Sequence, residues 1–113
     1  MSNNEAAVYV YHGPLPTLLD GVRQAVTAMK LITSEEVATP NSFSLAAAEK
    51  KGFITTKWPG KFVVKAATGN GVSTLVVTAE MKLTLASTAQ ELGNEAKLNE
   101  FMELIKAFAP DTK

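Results

Sequence analysis

The run "KFVVKAATGNGVSTLVVTAEMKLTL", residues 61–85, constrains this chain more than any other segment. Apolar residues recur at every second position. Phe62, Val64 and Ala66 take one side of an extended strand, and Val63 and Lys65 take the other. After the interruption, Leu75, Val77, Ala79 and Met81 alternate with Thr74, Val76, Thr78 and Glu80. A period of two is the signature of a half-buried strand. Gly69-Asn70-Gly71 stands between the two runs, and these residue types tolerate the positive φ of a tight turn. The pattern predicts an antiparallel hairpin with one apolar face, and that face must be covered.

Two segments change to a helical period and can supply the cover. Leu15, Leu18, Leu19, Val22, Val26 and Met29 recur at spacings of three and four. Pro14 and Pro16 suit the first turn of a helix, where no amide donor is needed. Thr17 is the expected N-cap, with Asp20 near the positive end of the helix dipole. Gly21 costs about 1 kcal/mol against alanine in a helix interior, so close packing is its expected reason. Near the C-terminus Leu98, Phe101, Met102, Ile105 and Phe108 form a second stripe, closed by Pro110. Its start stays open between a capping box at Ser87–Gln90 or Thr88–Glu91 and a later start at Gly93-Asn94.

The remaining segments read as strands with less regularity. "AAVYVYH" places Val8 and Val10 on one side and Tyr9 and Tyr11 on the other. Ile32 to Val37 reads as strand or loop, and Pro40-Asn41-Ser42 is a break. "FSLAAAEKK" reads as a strand with Phe43 and Leu45 inward, with a short helical turn through its triple alanine as the alternative, and "GFITTKW" reads as another strand. The fold class expected is α+β: an antiparallel sheet of about four strands with two helices packed on one face, a two-layer sandwich. A single domain over residues 1–113 is expected, with residues 1–5 and 110–113 frayed.

Composition narrows the function classes. Hydrophobic residues make up 46% of the chain, enough for an ordinary core, and eleven basic residues balance eleven acidic ones. A net charge of zero supplies no global field to draw in nucleic acid or an anionic membrane. The absence of cysteine excludes disulfides, thiol chemistry and thiolate metal sites. The N-terminal "MSNNEAAVYVYHG" lacks the basic start and apolar run of a signal peptide, and no stretch approaches the roughly 20 apolar residues of a membrane span. A cytoplasmic protein with no membrane contact and no cofactor is the expectation.

No motif announces chemistry. His12 is the only histidine, beside Gly13-Pro14, and no carboxylate is placed next to it by spacing. Its plainer reading is a partly exposed turn residue. Glu91, Glu95, Glu100 and Glu103 read as a solvated helix face, with Glu103 pairing to Lys106. The glycines around Asn70 lack the following helix of a phosphate loop. The lysines are more suggestive. Lys50, Lys51, Lys57, Lys61 and Lys65 occur with no acid between residues 50 and 71. Trp58, the only tryptophan, sits among them in "KWPGK", where Pro59-Gly60 suits a turn. Lys57, Trp58, Lys61 and Lys65 are therefore the candidate partner or ligand surface.

The pieces "TTKWPGKFVVK", "GNGVSTLVVTAE" and "LGNEAKLNEFMELI" resemble a group of small bacterial helix–three strands–helix domains, similar to those preceding SHOCT-type C-terminal segments. The resemblance implies an α+β fold and transfers no functional residue. The function expected is a non-catalytic interaction or ligand-binding module of a bacterial cytoplasm, with an unknown protein or small ligand as partner. A weak homodimer is also expected, pairing the lysine-rich strands with the acidic last helix of a second copy. The alternative is a nucleic-acid or phosphate-binding domain using the lysines of residues 50–65, and an enzyme is the third reading.

Overall fold

A computed structural model describes residues 2–49, 60–82 and 87–111. Five strands and two helices follow in the order β1 (Ser2–Tyr11), α1 (Leu15–Ala28), β2 (Leu31–Thr39), β3 (Ser42–Glu49), β4 (Gly60–Gly69), β5 (Val72–Lys82) and α2 (Ser87–Phe108). The strands form one antiparallel sheet in the order β1-β5-β4-β3-β2. The α+β class is as expected, but the sheet has five strands and not about four. Leu31–Thr39, open between strand and loop in the sequence, pairs with β3 and makes the fifth. The strand read from "GFITTKW" lies outside the described residues.

The tight turn predicted at Gly69–Gly71 is present, and the break at Pro40-Asn41-Ser42 is a turn; the turn read at Pro59-Gly60 is not fully within the described residues. Asn70 (φ 55°) and Gly71 (φ 78°) connect β4 to β5, and two consecutive left-handed residues match the twist of a two-residue hairpin. Pro40 and Asn41 connect β2 to β3. Helix α1 begins earlier than its predicted cap. Pro14, extended at φ −66° and ψ 140°, occupies the N-cap position without a side-chain bond, and Thr17 lies inside the first turn. Proline at the entry pre-sets φ, so the helix starts without a hydroxyl cap. It ends at Ala28 with Met29 as C-cap, and Lys30 beyond it, at φ 59° with its N–H bonded to the Thr27 carbonyl, turns the chain away.

Buried side chains make one cluster. Phe43, Leu45, Ala47, Phe62, Val64, Ala66, Leu75, Val77 and Ala79 come from one face of the sheet. Leu15, Leu18, Leu19, Val22 and Val26 join them from α1, and Leu98, Phe101, Met102 and Ile105 from α2. Helix α2 contacts β5 and β1, α1 contacts β2 and β3, and the helices touch each other. The α2 stripe departs from expectation at its end: Phe108 is exposed, and Ala109 takes the last buried position. Gly21 has the close packing its position called for. A Cβ there would lie 2.6 Å from the Ala109 Cβ, so its hydrogen lets the two helices meet. Among the described residues the buried Ser73 hydroxyl has no hydrogen-bond partner, an arrangement that costs about 1–3 kcal/mol.

Arg23 of α1 ties the helix to the β2 edge. Its Nε and Nη2 donate to the two carboxylate oxygens of Glu36 at 3.0 and 2.7 Å. The guanidinium hydrogen bond holds the Glu36 carboxyl below its ordinary range, and the same bond raises Arg23. A carboxyl lowered by folding adds stability above its unfolded pKa of about 4.3, and that stability is lost as pH falls through the folded value. Because the pair is largely exposed, we expect Glu36→Gln to cost about 0.5 kcal/mol near neutral pH. Urea midpoints of the two proteins should converge below about pH 4, and a gap that widens there would refute the assignment.

No helix among the described residues is long and apolar enough to cross a membrane.

Candidate functional site

The alternation that buries one face of the sheet leaves the other open, and hydrogen-bond register aligns its residues into rows. Val8, Val76, Lys65, Ser44 and Val37 lie side by side across all five strands. The next row holds Ala6, Thr78, Val63, Ala46 and Glu35. A third brings Glu80, Lys61, Ala48 and Ile32 together. Six large apolar residues are exposed among those described, and five belong to this face: Val8 (60%), Val10 (45%), Ile32 (51%), Val37 (54%) and Val76 (37%). Isolated exposed valines are ordinary, but these share one surface.

Two of the four predicted surface residues, Lys61 and Lys65, lie on this face and are exposed. Lys57 and Trp58 fall outside the described residues. The lysines do not stand in an acid-free field, as their segment suggested. Lys61 faces Glu80 across the β4–β5 pair, with Nζ 3.8 Å from the carboxylate. Lys65 shares with Glu35, Ser44, Ala46 and Val63 a shallow cleft of about 350 Å³. Glu80 was detectable in the sequence, since its parity on β5 places it on the same side as Val76. Glu35 was not, because a register shift between Thr33 and Glu35 resets the parity of β2.

A second polar cluster forms where β1 ends. Asp111 accepts the His12 backbone N–H at 2.8 Å, and its two oxygens lie 3.0 and 3.1 Å from His12 Nδ1. The Tyr9 hydroxyl donates to the Ala109 carbonyl at 2.9 Å. Burial raises the Tyr9 hydroxyl above its ordinary pKa, and the nearby Asp111 charge adds to this. Lys106 does not use its i,i+3 neighbour Glu103; its Nζ sits 5.9 Å from the Tyr9 ring centroid. His12 is thus the partly exposed turn residue expected, but with a carboxylate partner 99 residues away that no local pattern signals. The contacts hold the end of the chain against β1. Among the described residues no group of three or more potential metal ligands occurs. A separate apolar cleft of about 130 Å³ lies between the start of α1 and the β2–β3 turn, lined by Leu15, Leu19, Pro40 and Phe43 among others.

No family model matches the chain, and no curated protein matches it in sequence. Solved structures do match in shape. The crystal structure of Ara h 8.0201 superimposes with a TM-score of 0.54 over 96% of this chain and 98% of that one, at 10% identity. At that identity the likeness is one of fold alone.

Proposed function

We propose that this protein is a non-catalytic interaction or ligand-binding module whose contact surface is the exposed face of its sheet. The reading takes both helices as one layer on the buried face, leaving the opposite face free. The observation that carries it is the gathering of Val8, Val10, Ile32, Val37 and Val76 on that face, with Lys61 and Lys65 among them. Apolar residues toward both edges of the face, with lysines on the central strand β4 and acids beside them, suit a protein surface or a small amphipathic ligand. The bacterial, cytoplasmic setting and the kinship with domains preceding SHOCT-type segments belong to the same proposal. They rest on the absence of cysteine and on the pieces "TTKWPGKFVVK", "GNGVSTLVVTAE" and "LGNEAKLNEFMELI", while four strands and not three lie between the helices.

A phosphate- or nucleic-acid-binding role is less favoured, because Glu80 and Glu35 stand beside the lysines that would serve it. Binding that neutralises phosphates weakens steeply with salt. A short oligothymidine is therefore expected to show no salt-dependent binding at low ionic strength. If it binds, and Lys61→Ala with Lys65→Ala abolishes the binding, the nucleic-acid reading replaces ours. The positive test is a photo-crosslinking residue placed at Val76 in the source cell, with Asp20 on the exposed side of α1 as control. A discrete adduct from position 76 alone is expected. Equal labelling, or none, at both positions would reject the sheet face as the contact surface.

A further inference from the structure

The edge of the sheet carries a separate inference, independent of what its face contacts. In a two-residue hairpin the residues flanking the turn exchange both backbone hydrogen bonds. Gly69 and Val72 hold those positions, so the N–H and C=O of Val72 point to β4. Alternation then turns the groups of Ser73, Leu75, Val77 and Ala79 toward β1, where they meet Tyr11, Tyr9, Ala7 and Glu5. It follows that Ala6, Val8 and Val10 aim their own N–H and C=O away from the sheet. His12 shares their parity, and its outward N–H is already taken by Asp111. For Ala6, Val8 and Val10 no partner occurs among the described residues.

Sheet edges normally carry a device against strand addition, such as a bulge, an inward charge or a proline. The opposite edge, β2, has two: the register shift at Ser34 and the acids Glu35 and Glu36. Strand β1 runs without a bulge, and from Ala6 to Tyr11 it holds no charge and no proline.

We propose that β1 pairs antiparallel with β1 of a second copy of this chain, joining two sheets into one of ten strands. A two-fold axis through Val8 sets Val8 against Val8, Ala6 against Val10, Ala7 against Tyr9 and Glu5 against Tyr11. Every facing pair lies on one side of the sheet, and no like charges meet, whereas β2 against β2 would crowd four acids. The copies carry zero net charge, so no long-range repulsion opposes the approach. The groups joined are backbone ones. This dimer therefore differs from the charge-paired one expected from the lysines and the acidic helix, and it persists at high salt.

Sedimentation equilibrium with amide hydrogen exchange tests it. The wild-type chain should dimerise, at low and high salt alike, with the amides of Ala6, Val8 and Val10 protected in proportion to the dimer present. Val8→Pro removes an N–H that bonds to nothing among the described residues of the monomer and should weaken the dimer about tenfold or more. Val8→Lys provides a second route at the same exposed position should the proline variant fail to fold. Val37→Lys, on the other edge, should leave the dimer intact, and circular dichroism verifies that each variant is folded. A monomer at every concentration overturns the proposal. So does a dimer that survives both Val8 substitutions, or one that salt dissolves. Loss of the Val76 crosslink would leave this result untouched, so the two proposals fail separately.

Discussion

Replacing Phe62 with alanine is expected to lower the stability of this protein by about 3–5 kcal/mol. The ring is fully buried and stacks on Phe101, with centroids 4.3 Å apart and planes inclined by 17°. Strand β4 contributes one ring and α2 the other, so truncation leaves a void at the junction of sheet and helix. Part of the loss is transfer of the ring to water, part is the cavity, and about 0.5–1.5 kcal/mol is the aromatic pair itself. A small domain holds only about 5–15 kcal/mol in total, so the variant should unfold at a much lower urea concentration. Phe62→Leu, which keeps most of the volume, should recover over half of the loss. A Phe62→Ala midpoint near that of the wild type would mean that the stack carries no weight.

Gly21→Ala is expected to destabilise, against the helix-forming tendency of the two residues. In an exposed helix the change gains about 1 kcal/mol. Here the new methyl would meet the Ala109 Cβ at 2.6 Å and the Ala109 nitrogen at 3.2 Å. The first distance is too short to exist, and the second neighbour is backbone, so α1 and the end of α2 must separate. Overpacking of this kind costs about 1–3 kcal/mol, enough to reverse the sign. The shift would also strain the Tyr9 bond to the Ala109 carbonyl. Ala109→Gly should rescue the variant, because it removes the other methyl of the clash. The double mutant is then more stable than the two single effects predict, and this non-additivity is the mark of direct contact. A stabilising Gly21→Ala would place the helices farther apart than described.

Local chemistry made a large part of this molecule readable in advance. Alternation and paired glycines specified the β4–β5 hairpin, because a strand with one wet face must repeat with period two. The α1 stripe emerged for the same reason at period 3.6. Strand β2 was ambiguous because it lies at the edge of the sheet: Leu31 alone is buried and the other eight residues are exposed. An edge strand has no reason to display a clean apolar face. The Thr17 cap was a plausible local solution that lost to a proline already holding the required φ.

The candidate surface divides in the same way. Parity within β4 put Lys65 on the side opposite Phe62, and Lys61 shares that side. Their acidic neighbours come from other strands, Glu80 across the hairpin and Glu35 from beyond a bulge. Charge counted along the chain therefore overstated how basic the surface is. Periodicity is a property of one segment, so the sequence by itself determined the two helices, the β4–β5 hairpin and which side of β4 and β5 is apolar, but not the edge strand β2. Register, the meeting of Gly21 with Ala109, the His12–Asp111 contact and the open edge of β1 depend on pairs far apart in the chain. Those were decided only when the core closed, since one buried cluster drawn from the sheet and both helices fixes which distant residues touch.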